Sequence, residues 1–178
     1  MTQLIRLVYA SQSRSAIGNH QVDPALGSIL SQSRRNNQKQ AIGGVLFYGD
    51  GFFFQCLEGE KDRVEALYKR ICADSRHHQA RILSQEPIQH RLFEDWSMKF
   101  VPTADDVQAL LRQQGYSVFN PFSFSKAFID ELVHFFHYAQ LTVQLDPDPV
   151  SYQQQPAAHR QPSTLRGLWN WLSGRKAG

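Results

Sequence analysis

Gly49-Asp50-Gly51-Phe52-Phe53-Phe54-Gln55-Cys56-Leu57-Glu58-Gly59 is the stretch whose reading decides the fold. Its first three residues read as a tight reversal, and the run behind them reads as a buried strand. Alternation sets Phe53, Gln55 and Leu57 on one face and Phe52, Phe54 and Cys56 on the other. Gln55 is the anomaly. A buried amide left without partners costs about 1–3 kcal/mol, so a second polar group is expected beside it. Residues 42–48 carry a strand pattern of their own, and the turn joins the two into a hairpin.

Working outward, residues 4–10 alternate as a first strand, with Ile5, Leu7 and Tyr9 on one face. Asp23-Pro24 reads as a helix cap followed by a first-turn proline, opening a helix to about Asn37. Ile29 and Ser33 fall along one side of it. Residues 60–74 read as an amphipathic helix through Val64, Leu67, Tyr68, Ile71 and Cys72. Residues 80–85 and 97–101 read as two further strands. The order β-α-β-β-α-β-β predicts an α+β, ferredoxin-like fold: a five-stranded mixed sheet with two helices on one face. Thr103, with Asp106 three residues on, predicts a third helix ended by Gly115. Residues 125–140 predict a fourth, completing a C-terminal helical cap. The expected domains are a core over 1–101, the cap over 102–142, a Pro/Gln-rich linker over 143–162 and a short amphipathic tail over 163–178.

The chain of 178 residues is 42% hydrophobic, enough for one domain with a real core. Its net charge is +3, and residues 143–178, with four Lys/Arg and two Asp/Glu, carry most of it. The nearly neutral remainder is no electrostatic footprint for nucleic acid. No apolar run approaches the ~20 residues that span a bilayer, and the N-terminus lacks a secretory pattern. Cys56 and Cys72 show no metal or redox spacing, so reduced core thiols in a cytoplasmic protein are expected. His77-His78 reads as a surface pair, and no metal site is expected. Arg34-Arg35 reads as a solvated helix face.

Taken singly, Tyr9 is a strand tyrosine, Asn36-Asn37 a helix end and Gln55 a core amide. Taken in order with Trp96-Ser97-Met98, they form a pattern. The chain resembles the BLUF family, blue-light sensors that use a flavin. The resemblance lies in residues 4–13 (LIRLVYASQS), 33–37 (SRRNN), 42–48 (IGGVLFY), 53–59 (FFQCLEG), 70–78 (RICADSRHH) and 93–98 (FEDWSM). Each stretch alone is weak, and the ordered set is specific.

The resemblance implies a non-covalent flavin between the first two helices: FAD, with FMN as the alternative. It implies Tyr9, Gln55, Trp96 and Met98 as photoactive residues, with either Trp96 or Met98 beside Gln55. Asn36 and Asn37 offer amides suited to the ring's pyrimidine edge. Ile29 and Ser33 would line the ring, and Leu46 and Phe53 would wall it. By family position Arg70 and Asp74 would meet the ribityl–phosphate part, with Arg76 and His77 nearby. Light-driven electron and proton transfer among Tyr9, Gln55 and flavin would rearrange the amide's hydrogen bonds. The output would be a protein partner or self-association through the C-terminal helices, as a homo-oligomer and not as an enzyme. Two competing readings are an acylphosphatase-like hydrolase using Arg34-Arg35-Asn36, and an RNA-binding sheet presenting Phe52–Phe54.

Overall fold

The computed structural model describes residues 3–14, 24–94, 99–100 and 104–145. Five strands form one sheet: β1 (Leu4–Ser13), β2 (Gly43–Gly49), β3 (Phe52–Glu60), β4 (His77–Pro87) and β5 (Lys99–Phe100). Helix α1 (Pro24–Lys39) follows β1 and α2 (Lys61–Cys72) follows β3; α3 (Ala104–Gln113) and α4 (Lys126–Leu145) follow β5. The spatial order is β4-β1-β3-β2-β5. The first four strands pair antiparallel, and the two-residue β5 pairs parallel with β2. This is the expected ferredoxin-like α+β class, with β5 making the sheet mixed.

The hairpin forms as its sequence dictates. Gly49 pairs with Phe52, leaving Asp50-Gly51 as a two-residue turn. Both take positive φ, 48° and 80°, the conformation that glycine and aspartate tolerate best. At Gly44 a different constraint acts. A Cβ there would lie 2.2 Å from the Cys56 carbonyl oxygen, so only glycine lets β2 approach β3 so closely.

Alternation gives the sheet two different faces. Ile5, Leu7, Tyr9, Leu46, Phe53 and Leu57 join Ile29 of α1 and Val64 of α2 in one buried cluster. The opposite face carries Phe47 and Phe54, which pack on Phe119 and Phe136. The described residues up to Phe136 form one compact unit that includes this aromatic cap; the described residues from His137 belong to a second unit.

Four expectations need correction. Strand β4 spans His77–Pro87 instead of 80–85, because its outer residues pair with Ser13 and Ile5 at both ends of β1. That pairing buries His77, which was read as exposed. Cys72 is exposed at the end of α2, so only Cys56 is a core thiol. Helix α4 continues to Leu145, three residues into the expected linker. Trp96, Met98 and the 163–178 tail lie outside the described residues.

Candidate functional site

Tyr9 and Gln55 are direct cross-strand partners on β1 and β3. Tyr9 is fully buried and Gln55 nearly so. The Tyr9 hydroxyl donates to Gln55 Oε1. This is the second polar group that the buried amide required, and both side chains point to the face that α1 and α2 cover. Burial, before any nearby charge, raises the Tyr9 phenol far above its ordinary value. Tyr9 is therefore a neutral donor across the physiological range.

A cleft of about 200 Å³ opens beside this pair. Tyr9 and Gln55 form its sheet wall. Helix α1 contributes Ile29, Gln32, Ser33, Asn36 and Asn37; α2 and the turn after it contribute Leu67, Arg70, Ile71, Asp74 and Arg76, and β4 contributes its first residue, His77. The α1 residues recur at steps of three and four, the spacing of one helical face.

The most telling member is Asn37. It is only 1% exposed, yet neither its Nδ2 nor its Oδ1 has a hydrogen-bond partner. A buried amide with one unspent donor group and one unspent acceptor calls for a ligand carrying the complementary pattern. The pyrimidine edge of a flavin ring, with carbonyl acceptors and one N–H, has that pattern. Ile29, Leu67 and Ile71 give apolar surface for a flat ring, and the mouth is cationic. The residues present therefore fit a flavin.

At that mouth Arg76 is the organiser. Its guanidinium pairs with Asp74, Nε reaching Oδ1 at 2.9 Å, and also reaches Ser28 Oγ at 3.0 Å and Gln32 Oε1 at 2.7 Å on α1. The Arg76 hydrogen bonds hold the Asp74 carboxyl down at about 2. Arg70 donates to Gln40 Oε1 at 3.0 Å. His77 hydrogen-bonds Ser11 Oγ through Nδ1 at 2.8 Å, and its ring lies 5.0 Å from Phe53.

Of the residues named from sequence, the structure gathers Tyr9, Ile29, Ser33, Asn36, Asn37, Gln55, Arg70 and Asp74 around one cleft. Leu46 and Phe53 sit in the core cluster and do not line it. Leu46 pairs with Gln55 across β2–β3, and Phe53 is covered by Tyr48 and His77. Gln32, Leu67 and Ile71 were missed as cleft residues. Their signal was present: Gln32 lies four before Asn36, and Leu67 and Ile71 are the i, i+4 stripe that reads equally well as core.

The competing readings lose their footing. Arg34 and Arg35 are exposed and do not line the cleft. Phe53 and Phe54 are fully buried and Phe52 packs on Phe122, so no aromatic platform is offered to a base.

A sheet wall holding a buried phenol–amide pair, faced by an unspent amide, defines a receptor for a planar heterocycle. Residues 4–99 match the family model described as sensors of blue-light using FAD, and the chain belongs to this family, BLUF. It is 32% identical over 99 residues to photoactivated adenylate cyclase subunit beta of Euglena longa, covering 55% of this chain and 11% of that protein. The blue light- and temperature-regulated antirepressor BluF of Escherichia coli (strain K12) is 32% identical over 75 residues, covering 42% of this chain and 18% of that protein. The chain thus spans under a fifth of either curated relative. The structure titled "BlsA ground state" superimposes with a TM-score of 0.69 at 34% identity, covering 75% of this chain and 87% of that one.

Proposed function

We propose that this chain is a blue-light photoreceptor that binds FAD non-covalently in the α1–α2 cleft and switches through Tyr9 and Gln55. The observation that carries the proposal is the Tyr9–Gln55 hydrogen bond on the wall of a cleft whose opposite side holds the unpartnered Asn37 amide. When bound, the flavin supplies blue absorption and an excited state that accepts electrons. Asn36 and Asn37 would hold the ring edge, Ile29 and Ser33 would line it, and Arg70 and Arg76 would supply positive charge for a phosphate.

Tyr9 keeps its proton in the dark and gives it to Gln55 Oε1 as a hydrogen bond. Gln55 can make that bond in only one orientation, because its two ends differ in donor and acceptor character. Turning the amide, or moving a proton from its nitrogen to its oxygen, ends the bond that Tyr9 donates and presents a donor in place of an acceptor. Such a side chain is a two-state element. Its rearrangement changes the electrostatics of the cleft, which would red-shift the absorption of a bound flavin.

The output we propose is a protein contact made through the C-terminal helices, either with a second copy or with a separate partner. Photosensing is the function, with no substrate turned over. Support comes from the cap's packing on the far side of the strands that carry Tyr9 and Gln55. Absorption spectra before and after blue light test the proposal on wild type and on Gln55→Ala. Wild type should show a reversible red shift and the variant none. A normal photocycle without that amide ends the mechanism.

A further inference from the structure

The Asn37 amide is unpartnered, so something other than its own hydrogen bonds must aim it. The turn that ends α1 supplies the constraint. The Asn37 carbonyl accepts from both Gln40 N and Ile42 N, each at 3.0 Å. This closure forces Ala41 to φ 50°, a left-handed conformation that glycine usually fills at a helix end. An alanine there is strained, and outside contacts must stabilise the turn.

Three arginines provide them. Arg63 Nη1 donates to the Gln40 carbonyl at 3.1 Å, and Arg91 Nη1 donates to the Ala41 carbonyl at 2.8 Å. Arg70 Nη2 donates to Gln40 Oε1 at 3.0 Å. Cations at a helix C-terminus also oppose the negative end of its dipole. The three come from two elements, α2 and the loop after β4. That loop is itself anchored: the backbone N–H of Phe93 donates to Glu58 Oε2 at 3.0 Å, and Glu58 is fully buried against Arg6 at 2.7 Å. Arg63 and Arg91 do not line the cleft.

We propose that Arg63 and Arg91 are positioning residues for cofactor recognition, fixing the α1 terminal turn so that the Asn37 amide faces the ligand. The inference rests on the flavin reading of the cleft. A guanidinium on a backbone carbonyl sets the turn, the turn sets the Asn37 backbone, and the backbone sets the side chain. Specificity for the ring edge is thereby built partly outside the cleft.

The test measures the Kd of FAD for apoprotein carrying Arg91→Gln, alone and combined with Asn37→Ala. Loss of one charge-assisted bond acting through the backbone should raise Kd about tenfold in the Arg91→Gln protein. In the Asn37→Ala background the same change should raise Kd no further, since the residue it aims is gone. Arg91→Lys should recover part of the loss, and Arg63→Gln should repeat it. Hydrogen exchange of the Ile42 amide in the apoprotein gives a readout that needs no cofactor, and it should quicken in Arg91→Gln. An unchanged Kd, or a loss that adds fully to that of Asn37→Ala, overturns the clamp. A wild-type chain that takes up no flavin ends the cofactor reading itself, a separate and distinguishable failure.

Discussion

The two faces of this sheet are built from the same strands and spend their polarity in opposite ways. On the α1–α2 face, Tyr9, Gln55, Ser11, His77 and Asn37 are all buried, and Asn37 keeps both amide ends unpartnered. On the cap face, Phe47 and Phe54 are interlocked with Phe119 and Phe136 at ring separations of 4.7 to 6.2 Å. Its one buried carboxylate among the described residues, Glu58, is satisfied by Arg6 and the Phe93 N–H. The first face holds unspent hydrogen bonding, as a binding site must. The second is packed to completion, as a structural joint must be. One residue step along β3 separates the switch candidate Gln55 from Phe54 and Cys56 on the other face, so a shift of this strand is felt on both.

Breaking the packed face should have the largest effect. Phe54→Ala removes a fully buried ring and should cost about 3–5 kcal/mol in denaturant unfolding. The protein that remains folded should keep its light-induced red shift, because the lost ring lies on the wrong face to touch the cleft. If the shift vanishes while the fold survives, the two faces are not separable as described.

The next effect belongs to the polar face and is read by alkaline unfolding. Burial keeps the Tyr9 phenol protonated in the folded chain well above its ordinary value of 10. Above that pH the unfolded chain loses this proton and the folded chain keeps it, so stability falls as pH rises. One such proton gives a slope of about 1.4 kcal/mol per pH unit. Tyr9→Phe should flatten the curve. Tyr68, pushed up to about 12 by burial and then by Cys72, should leave a weaker residual slope between 10 and 12.

A smaller change sharpens the contrast by reversing its sign. Asn37→Leu replaces an unsatisfied buried amide with an apolar side chain. It should stabilise the apoprotein by about 1–2 kcal/mol in a thermal melt while weakening flavin binding. Residues of the packed face should show no such opposition between stability and binding. A destabilised apoprotein would mean that the amide is satisfied after all.

The smallest effect sits at the mouth of the cleft. The Asp74 carboxyl, held at about 2 chiefly by Arg76 hydrogen bonds, stabilises the fold above its unfolded value of 3.8. That contribution is lost as pH falls from 3.8 through about 2. The pair is partly exposed, so Asp74→Asn should change acid stability by less than about 1 kcal/mol. It should also loosen the Arg76 bonds to Ser28 and Gln32, visible as faster flavin release. An acid stability that changes by several kcal/mol would place the pair in the core.

The sequence by itself determined what local periodicity can encode. Alternation through Phe53, Gln55 and Leu57 set the faces of β3, Asp50-Gly51 set the hairpin, and the order of elements set the fold class. The buried amide demanded a partner, and the ordered motifs named Tyr9 and the Asn36-Asn37 pair. Tertiary structure alone decided which asparagine is left unsatisfied: neighbouring helical positions point about 100° apart, and only packing fixes which is covered. It alone buried His77, because β4 pairs with β1 beyond the apparent strand and brings that ring to Ser11. It alone brought Arg63, Arg70 and Arg91 to one turn from 23 to 50 residues away in the chain. Contacts within a strand or a helical turn repeat at fixed steps and can be read along the chain. Contacts between distant segments depend on where the whole chain crosses itself, and no step along the sequence encodes them.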